Sequence, residues 1–282
     1  MTLKQALSHA REILKANDIE DFPLESELLL RHTLKINRVQ LYQDLDEELS
    51  LKQEQTFWKL IKRRLSHEPT AYITGHREFY GLDFYVNPHV LIPRPESELL
   101  VELALSTAAN QQVSTIADIG TGCGAIAISL ALNLPHVNIY ATDISASALE
   151  VAQINCNKHG VAKEIHLFQG DMLNPLPEPV DLIVANLPYV RKAELPRIIP
   201  AKFEPLLALD GGPDGLQKIS QLCRQVKNKL RPTGYLLLEI GQGQRKAVTS
   251  LLHSFFQCAN IEVALDLGSI DRVVSLFLSP NK

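Results

Sequence analysis

The sequence predicts an α/β protein in which a doubly wound, mostly parallel sheet follows a small amino-terminal helical bundle. Three features indicate this arrangement. Apolar residues recur at helical spacing through the first 70 residues, and after residue 96 short β-branched runs alternate with longer helical patterns. The last two strand candidates have no helix between them, so a hairpin joins them and brings at least one antiparallel edge strand.

Residues 1–70 are expected to form the helical domain. Ser50 and Gln53 match a capping box at the start of one helix, and Pro23 suits the first turn of another. The apolar residues at helical spacing are Leu3, Leu7, Ala10, Leu14, Trp58, Ile61 and Leu65. On composition alone, a bundle that serves only packing would look the same.

Residues 71–95 are expected to form a β-hairpin linker, because aromatic and β-branched residues alternate there around glycines and Asn87. The third domain, residues 96–282, begins with a helix over 96–109. Its strands are predicted at residues 115–119, 137–141, 165–168, 180–185, 235–240, 261–266 and 272–278. Its remaining helices are predicted at residues 125–132, 146–158, 216–230 and 244–256.

Composition excludes several classes of protein. The chain has 282 residues, 45% of them apolar and 21% charged, which is enough for one large and one small core. Its net charge of -4 argues against a broad basic face for nucleic acid. Its amino terminus lacks the apolar core of a signal peptide, and no apolar run approaches ~18 residues. We therefore expect a cytoplasmic protein without membrane or direct nucleic-acid binding, and a monomer.

The four cysteines show neither CxxC nor His/Cys ligand spacing, so the sequence predicts reduced thiols and no metal site. These residues are Cys123, Cys156, Cys223 and Cys258.

A glycine-rich loop follows the first strand of the third domain. Its residues are Gly120, Thr121, Gly122, Cys123 and Gly124. Glycine lets backbone amides approach a ligand at a helix amino terminus, where negative groups are favoured. A tight turn without ligand, or a nicotinamide site, would look similar.

Acidic residues follow the next two strands. Asp143 ends the second strand, where a carboxylate can accept hydrogen bonds from both hydroxyls of a ribose. Helix capping is the alternative, although Ser145 could cap as readily. After the third strand, Asp171 could accept from an adenine amino group while Met172 packs on the ring. Three successive strand ends thus point to a nucleoside-containing cofactor.

The fourth strand ends in a tetrapeptide that suggests chemistry on a planar NH2 group. It consists of Asn186, Leu187, Pro188 and Tyr189. The Asn186 side-chain oxygen and the Leu187 carbonyl offer two acceptors for the two hydrogens of such a group. Fixed acceptors favour a tetrahedral nitrogen whose lone pair can face a methyl donor, and Tyr189 could stack on the flat target. An ordinary turn after a strand is the alternative.

Taken together, these segments resemble the HemK/PrmC family of release factor glutamine N5-methyltransferases. The resemblance runs through EPTAYITGHREFYGLDFYV, VLIPRPESELLVE, DIGTGCGAIA, TDISASALEVAQIN, GDMLNPLP, DLIVANLPYV, FEPLLALDGGPDGL, GYLLLEIGQGQ and DRVVS. It implies a five-helix amino-terminal domain, a hairpin linker and a Rossmann-like, seven-stranded S-adenosylmethionine (SAM)-dependent domain. It places SAM, and the product S-adenosylhomocysteine, against residues 120–124, Asp143, Met172 and Asn186.

By the same resemblance, the substrate is the glutamine of the Gly-Gly-Gln tripeptide of class 1 peptide chain release factors, bound at residues 186–189. Residues 1–70 would recognise that protein substrate. Two positions depart from the family pattern: Leu187 stands where the second residue is usually Pro, and Met172 where Trp is frequent. Leu187 keeps the carbonyl but loses the ring that fixes φ, and Met172 makes a softer contact with adenine.

Three other functions share parts of this pattern. A methyltransferase of glutamine in a ribosomal protein has the same tetrapeptide, although residues 92–98, IPRPESE, resemble the release factor branch better. An adenine N6 methyltransferase would need a flipped base and a basic recognition surface. A SAM-binding protein without activity would use the same loop.

Overall fold

The structure is a computed structural model and describes residues 1–278. The chain divides into two compact units, Met1–His76 and Arg77–Lys282. The last four residues of the predicted 96–282 domain, residues 279–282, lie outside the described part. Over residues 1–278, no helix is both long and apolar enough to cross a membrane.

The first unit is built from five helices. They are α1 (Leu3–Ala16), α2 (Phe22–Leu34), α3 (Arg38–Gln43), α4 (Leu51–Leu65) and α5 (Thr70–Thr74). Capping boxes begin three of them, at Thr2, Asn37 and Ser50, and Pro23 lies in the first turn of α2. Their apolar faces meet in one core around leucines of α1 and α2 and Phe57 of α4. The amphipathic pattern thus yields a bundle whose packing stabilises short helices.

Residues 71–74 differ from the hairpin expected there, because they belong to α5. Gly75 follows this helix with a φ of 76°, a left-handed conformation that ends a helix and suits glycine. The hairpin itself is shorter than predicted and consists of β1 (His76–Phe79) and β2 (Leu82–Tyr85). Tyr72, the one aromatic residue of this helix, is therefore buried as part of α5 and not as part of a strand.

The second unit contains a seven-stranded sheet with helices. Its strands are β3 (Thr115–Ile119), β4 (Asn138–Asp143), β5 (Ile165–Gln169), β6 (Val180–Ala185), β7 (Leu230–Glu239), β8 (Asn260–Leu265) and β9 (Asp271–Phe277). Its α-helices are α6 (Glu98–Asn110), α7 (Ala125–Asn133), α8 (Ala146–Lys158), α9 (Gln217–Lys229) and α10 (Arg245–Phe255). A 3-10 turn, Pro95–Ser97, leads into α6.

The strand order is β5-β4-β3-β6-β7-β9-β8, and all neighbours from β5 to β7 run parallel. From β3 the chain moves outward to β4 and β5, then returns to β6 on the other side of β3. This reversal creates a crevice at the carboxyl ends of β3 and β6, the place where open α/β sheets bind ligands. The predicted doubly wound fold class is confirmed.

The last two strands, β8 and β9, form a hairpin in which the later strand, β9, lies next to β7 and the earlier strand, β8, lies at the edge of the sheet. β9 pairs antiparallel with β7, and β8 pairs antiparallel with β9 at the edge of the sheet. Because β9 is an interior strand and is covered on both faces, its residues Val273, Val274 and Leu276 are buried. The residues of the edge strand β8 are either exposed or half-buried.

Candidate active site

The register of the parallel strands brings five strand ends to one level. Ile119 of β3 lies beside Thr142 of β4 and Ala185 of β6, and Ala185 lies beside Leu238 of β7. The residues at or just beyond these ends, including that of β5, are Gly120, Asp143, Gly170, Asn186 and Glu239. Residues far apart in the chain therefore share one edge of the sheet.

The glycine-rich loop turns tightly from β3 into α7. The Gly120 and Thr121 N–H groups both donate to the Thr142 carbonyl, at 2.9 Å each. Gly124 is the N-cap of α7 with a φ of 83°, and a Cβ there would lie 3.2 Å from Ile128 Cδ1. Glycine at 124 thus allows the close start of α7, and its role is to shape the loop.

Asp118, one residue before the end of β3, is buried and hydrogen-bonds to this loop and to α7. Its Oδ2 accepts from the Thr121 hydroxyl at 2.7 Å and from the Ala127 N–H at 3.2 Å. Burial raises the pKa of Asp118 to about 7. Its other oxygen has no hydrogen-bond partner among the described residues. Sequence analysis gave Asp118 no role.

Asp143 presents a carboxylate to the cavity. Its Oδ2 accepts from the Gly122 N–H and its Oδ1 from the Ser145 N–H, each at 2.9 Å. Burial raises the pKa of Asp143, and these two bonds act in the opposite direction. Ser145 is the N-cap of α8 and accepts from the Ala148 N–H, so Asp143 is not needed as the cap. Each Asp143 oxygen keeps a second lone pair for a ligand.

An open cavity of about 790 Å³ lies along these strand ends. The predicted site residues that line it are Gly120, Gly122, Asp143, Asp171, Met172, Leu187 and Pro188. Ile144, an exposed apolar residue directly after Asp143, also lines it. Sequence analysis missed Ile144, although an apolar residue beside the ribose acceptor is placed to cover a flat base.

A second cavity of about 370 Å³ shares Gly120 and Gly122 with the first. Thr121 and Cys123 line it. The Cys123 thiol is buried, which raises its pKa to about 12 and keeps it protonated. Its backbone carbonyl accepts from Asn155 Nδ2 at 2.9 Å. Cys123 therefore contributes backbone geometry and not a nucleophile.

The loop after β5 carries the two residues predicted to face adenine. Met172 is buried with a φ of 51°, and Asp171 is exposed. Asp171 Oδ2 accepts from Gln225 Nε2 at 3.0 Å, and Gln225 Oε1 accepts from the Leu173 N–H at 2.8 Å. Gln225 of α9, which the sequence did not single out, thus fixes this loop.

Asn186 lies at one end of a hydrogen-bond chain whose other two members, Ser97 and Glu239, are buried. Its Nδ2 donates to Ser97 Oγ at 2.9 Å, and the Ser97 hydroxyl donates to Glu239 Oε2 at 2.5 Å. Within residues 1–278, no donor is bonded to the Asn186 side-chain oxygen Oδ1. Sequence analysis predicted Asn186 but neither partner, because each comes from a distant segment.

The rest of the tetrapeptide is held by glycines. A Cβ at Gly211 would lie 2.8 Å from the Pro188 carbonyl oxygen, and one at Gly215 would lie 2.5 Å from the Tyr189 oxygen. Gln244 Nε2 donates to that Tyr189 carbonyl at 3.1 Å. Side chains at 211 or 215 would displace the tetrapeptide, so these glycines permit its close packing.

Tyr189 lies apart from the first two cavities. Its ring lines a third cavity of about 820 Å³ and faces Gly241, where a Cβ would lie 2.9 Å from Tyr189 Cδ2. Burial raises the pKa of Tyr189 to about 12, and the nearby Glu239 carboxylate adds to this. The phenol therefore stays protonated at neutral pH.

These features suit the parts of SAM. Asp143 has carboxylate oxygens of the kind that accept from ribose hydroxyls, and Ile144 and Met172 are apolar lining residues of the kind that can cover adenine. The amino terminus of α7 favours the carboxylate of the methionine portion.

The fold and the cofactor crevice define a class, the SAM-dependent methyltransferases. A crystal structure of a methyltransferase from Pyrococcus furiosus has the same fold, with a TM-score of 0.52 at 16% identity over 71% of this chain and 90% of that one. Residues 5–75 match the PrmC N-terminal domain model, and residues 95–203 match the methyltransferase small domain model.

Full-length relatives narrow the class to one family. The chain is 46% identical to a release factor glutamine methyltransferase of Moorella thermoacetica, over 96% of this chain and 97% of the relative. It is 39% identical to one of Koribacter versatilis, over 97% and 98% of the two chains. The chain belongs to the release factor glutamine methyltransferase family, which confirms the resemblance seen in the sequence.

Proposed function

We propose that this chain transfers a methyl group from SAM to the side-chain nitrogen of the glutamine in the Gly-Gly-Gln tripeptide of class 1 release factors. Two relatives of 39% and 46% identity over nearly the whole chain are named release factor glutamine methyltransferases, which supports this substrate class. We also propose a cytoplasmic location, because the proposed substrate acts in translation.

One observation carries the mechanism. The Asn186 amide is held by Ser97 through its NH2 group, while its Oδ1 is left as an acceptor at the carboxyl end of β6. A Cβ at Gly120 would lie 3.9 Å from the Asn186 carbonyl oxygen, so the cofactor loop and the tetrapeptide are close neighbours. An amide acceptor beside a SAM loop matches what methylation of a planar NH2 group needs.

When bound, SAM supplies a methyl group on a positively charged sulfur. The chain's own residues prepare the nitrogen that takes it. Asn186 Oδ1 and the Leu187 carbonyl accept its two hydrogens, which weakens conjugation with the glutamine carbonyl and directs the lone pair toward the methyl group. The bound cofactor would give up its methyl group and keep the electron pair of the broken carbon–sulfur bond, and the glutamine nitrogen would bond to that methyl group and release one proton to water.

Asp143 holds the other half of the reacting pair in place. Its carboxylate would hold the ribose and Met172 and Ile144, which line the same cavity, would cover the base, so that the methyl group is presented toward Asn186. Cys123 stays a protonated thiol and Tyr189 a protonated phenol, so neither provides a nucleophile. Catalysis then rests on positioning and on fixed acceptors.

The test is methylation of purified release factors with and without Asn186. Wild-type protein with SAM should add one methyl group to the Gly-Gly-Gln glutamine. Asn186→Ala should lower kcat by about 100-fold or more, as for a lost transition-state hydrogen bond. Asn157→Ala, which changes an exposed asparagine on α8, is the matched control and should behave as wild type.

Mass spectrometry of the treated substrates decides between the alternatives. Ribosomal proteins and DNA are offered in parallel under the same conditions. A methyl group on a ribosomal-protein glutamine or on adenine, with none on release factors, would overturn the proposed substrate. Equal methylation by wild type and Asn186→Ala would overturn the role of Asn186.

A further inference from the structure

We propose that Ser97 and Glu239 form a positioning relay that fixes the amide of Asn186 in one orientation, with Oδ1 toward the substrate nitrogen. The relay rests on the proposed function and adds to it two residues that neither the loop nor the tetrapeptide contains. Both act through Asn186, so they are positioning residues.

The relay is assembled by the fold. Because Ala185 of β6 pairs with Leu238 of β7, Asn186 and Glu239 follow at the same level of the sheet. Ser97 arrives from the 3-10 turn before α6, 89 residues from Asn186 and 142 from Glu239 in the sequence. Ser97 is 3% exposed and Glu239 is 2% exposed, so water does not replace either partner.

Counting protons fixes the direction of the chain. A serine hydroxyl has one proton, and an ionised carboxylate can only accept. The Ser97 proton therefore goes to Glu239, and Ser97 Oγ can only accept from Asn186. The Asn186 group that faces Ser97 must then be the NH2, which turns Oδ1 away as a free acceptor. A chain of this kind is also strengthened by mutual polarisation.

Protonation of Glu239 would remove this constraint. A protonated carboxyl can donate to Ser97, the Ser97 hydroxyl can then donate to Asn186 Oδ1, and the amide can turn. The NH2 of Asn186 would face the NH2 of glutamine, and two donors cannot bond. The ionised form of Glu239 is therefore the active one.

The groups around Glu239 set the pH at which this change occurs. Burial raises the pKa of Glu239 to about 7, with the nearby Glu96 carboxylate acting in the same direction. The hydrogen bond from Ser97, the Arg272 guanidinium of β9 and the Tyr189 hydroxyl favour the charged form. Since the active form is ionised, kcat should fall as pH decreases through about 7.

Kinetics of wild type and four variants test the relay. Ser97→Ala and Glu239→Gln should each lower kcat by roughly 10-fold, less than the ~100-fold expected for Asn186→Ala, with the SAM Kd and release factor KM nearly unchanged. Glu239→Gln should also lose the decrease of kcat near pH 7. Ser97→Thr keeps the hydroxyl and should restore most of kcat. Ser129→Ala removes a buried hydroxyl that bonds only within α7, and should match wild type.

A second measurement does not depend on turnover. In protein labelled with ¹⁵N at asparagine, the side-chain signal missing from Asn186→Ala identifies Asn186. That signal should shift with pH around 7 in the wild type, and stay constant in Ser97→Ala and Glu239→Gln. It reports the relay even if the wild type methylates none of the substrates offered, an outcome that would reject the proposed function alone.

The relay is refuted if Ser97→Ala keeps both the kcat and the pH profile of the wild type while that enzyme methylates glutamine. It is also refuted if Ser97→Thr loses as much kcat as Ser97→Ala, since the hydroxyl would then not matter. An Asn186 signal that does not respond to pH in the wild type would exclude coupling to Glu239.

Discussion

Replacement of Asp143 by alanine gives a direct test of the cofactor site. Asp143 accepts an N–H bond from Gly122 on Oδ2 and one from Ser145 on Oδ1, and a carboxylate oxygen has a further lone pair that can accept from a ligand. We expect the two ribose hydroxyls of SAM to occupy those positions. Asp143→Ala removes both acceptors from the cavity at once.

The expected loss follows from the balance of bonds. Hydrogen bonds to a charged group contribute about 1.5–3 kcal/mol each, and water entering the open cavity offsets part of that. A net loss of about 1–3 kcal/mol corresponds to roughly 5- to 150-fold weaker SAM binding. Water can also satisfy the freed Gly122 and Ser145 N–H groups, so the variant should fold.

Isothermal titration calorimetry with SAM measures this loss, and thermal unfolding shows whether the variant is folded. Glu164→Ala, an exposed acid before β5, is the control and should bind SAM as wild type does. Burial raises the pKa of Asp143, and binding needs its ionised form, so affinity should fall as pH decreases through that pKa. Unchanged SAM affinity in folded Asp143→Ala would contradict the assignment.

Two further predictions concern Leu187 and the first unit. Leu187→Pro should keep activity within about threefold, because the carbonyl is retained and the side chain of Leu187 packs in the core. The kcat with a release factor measures this activity, and a loss as large as that of Asn186→Ala would show that a flexible backbone is required at residue 187. A chain that begins at Arg77 should bind SAM almost normally but lose most methylation of intact release factor, because we assign substrate recognition to the first unit, Met1–His76. Methylation at the full rate would show that the first unit is not needed for substrate recognition.

Much of the fold could be predicted because its signals are local. The capping box at Ser50, the glycine loop before α7 and the alternation of strands and helices each depend on neighbours in sequence. The candidate site residues Asp143 and Asn186 could be proposed for the same reason, since Asp143 ends a buried strand and Asn186 follows one. The extent of α5 was missed because its five residues are too short for a helical period.

The sequence by itself determined which residue types stand at the strand ends, because the apolar pattern sets the strands and the polar residues follow them. Only the tertiary structure decided that β9 enters the sheet between β7 and β8, and that Ser97 and Glu239 meet at Asn186. Strand order and register are set by long-range packing and hydrogen bonding, which leave no periodic trace at the positions they join.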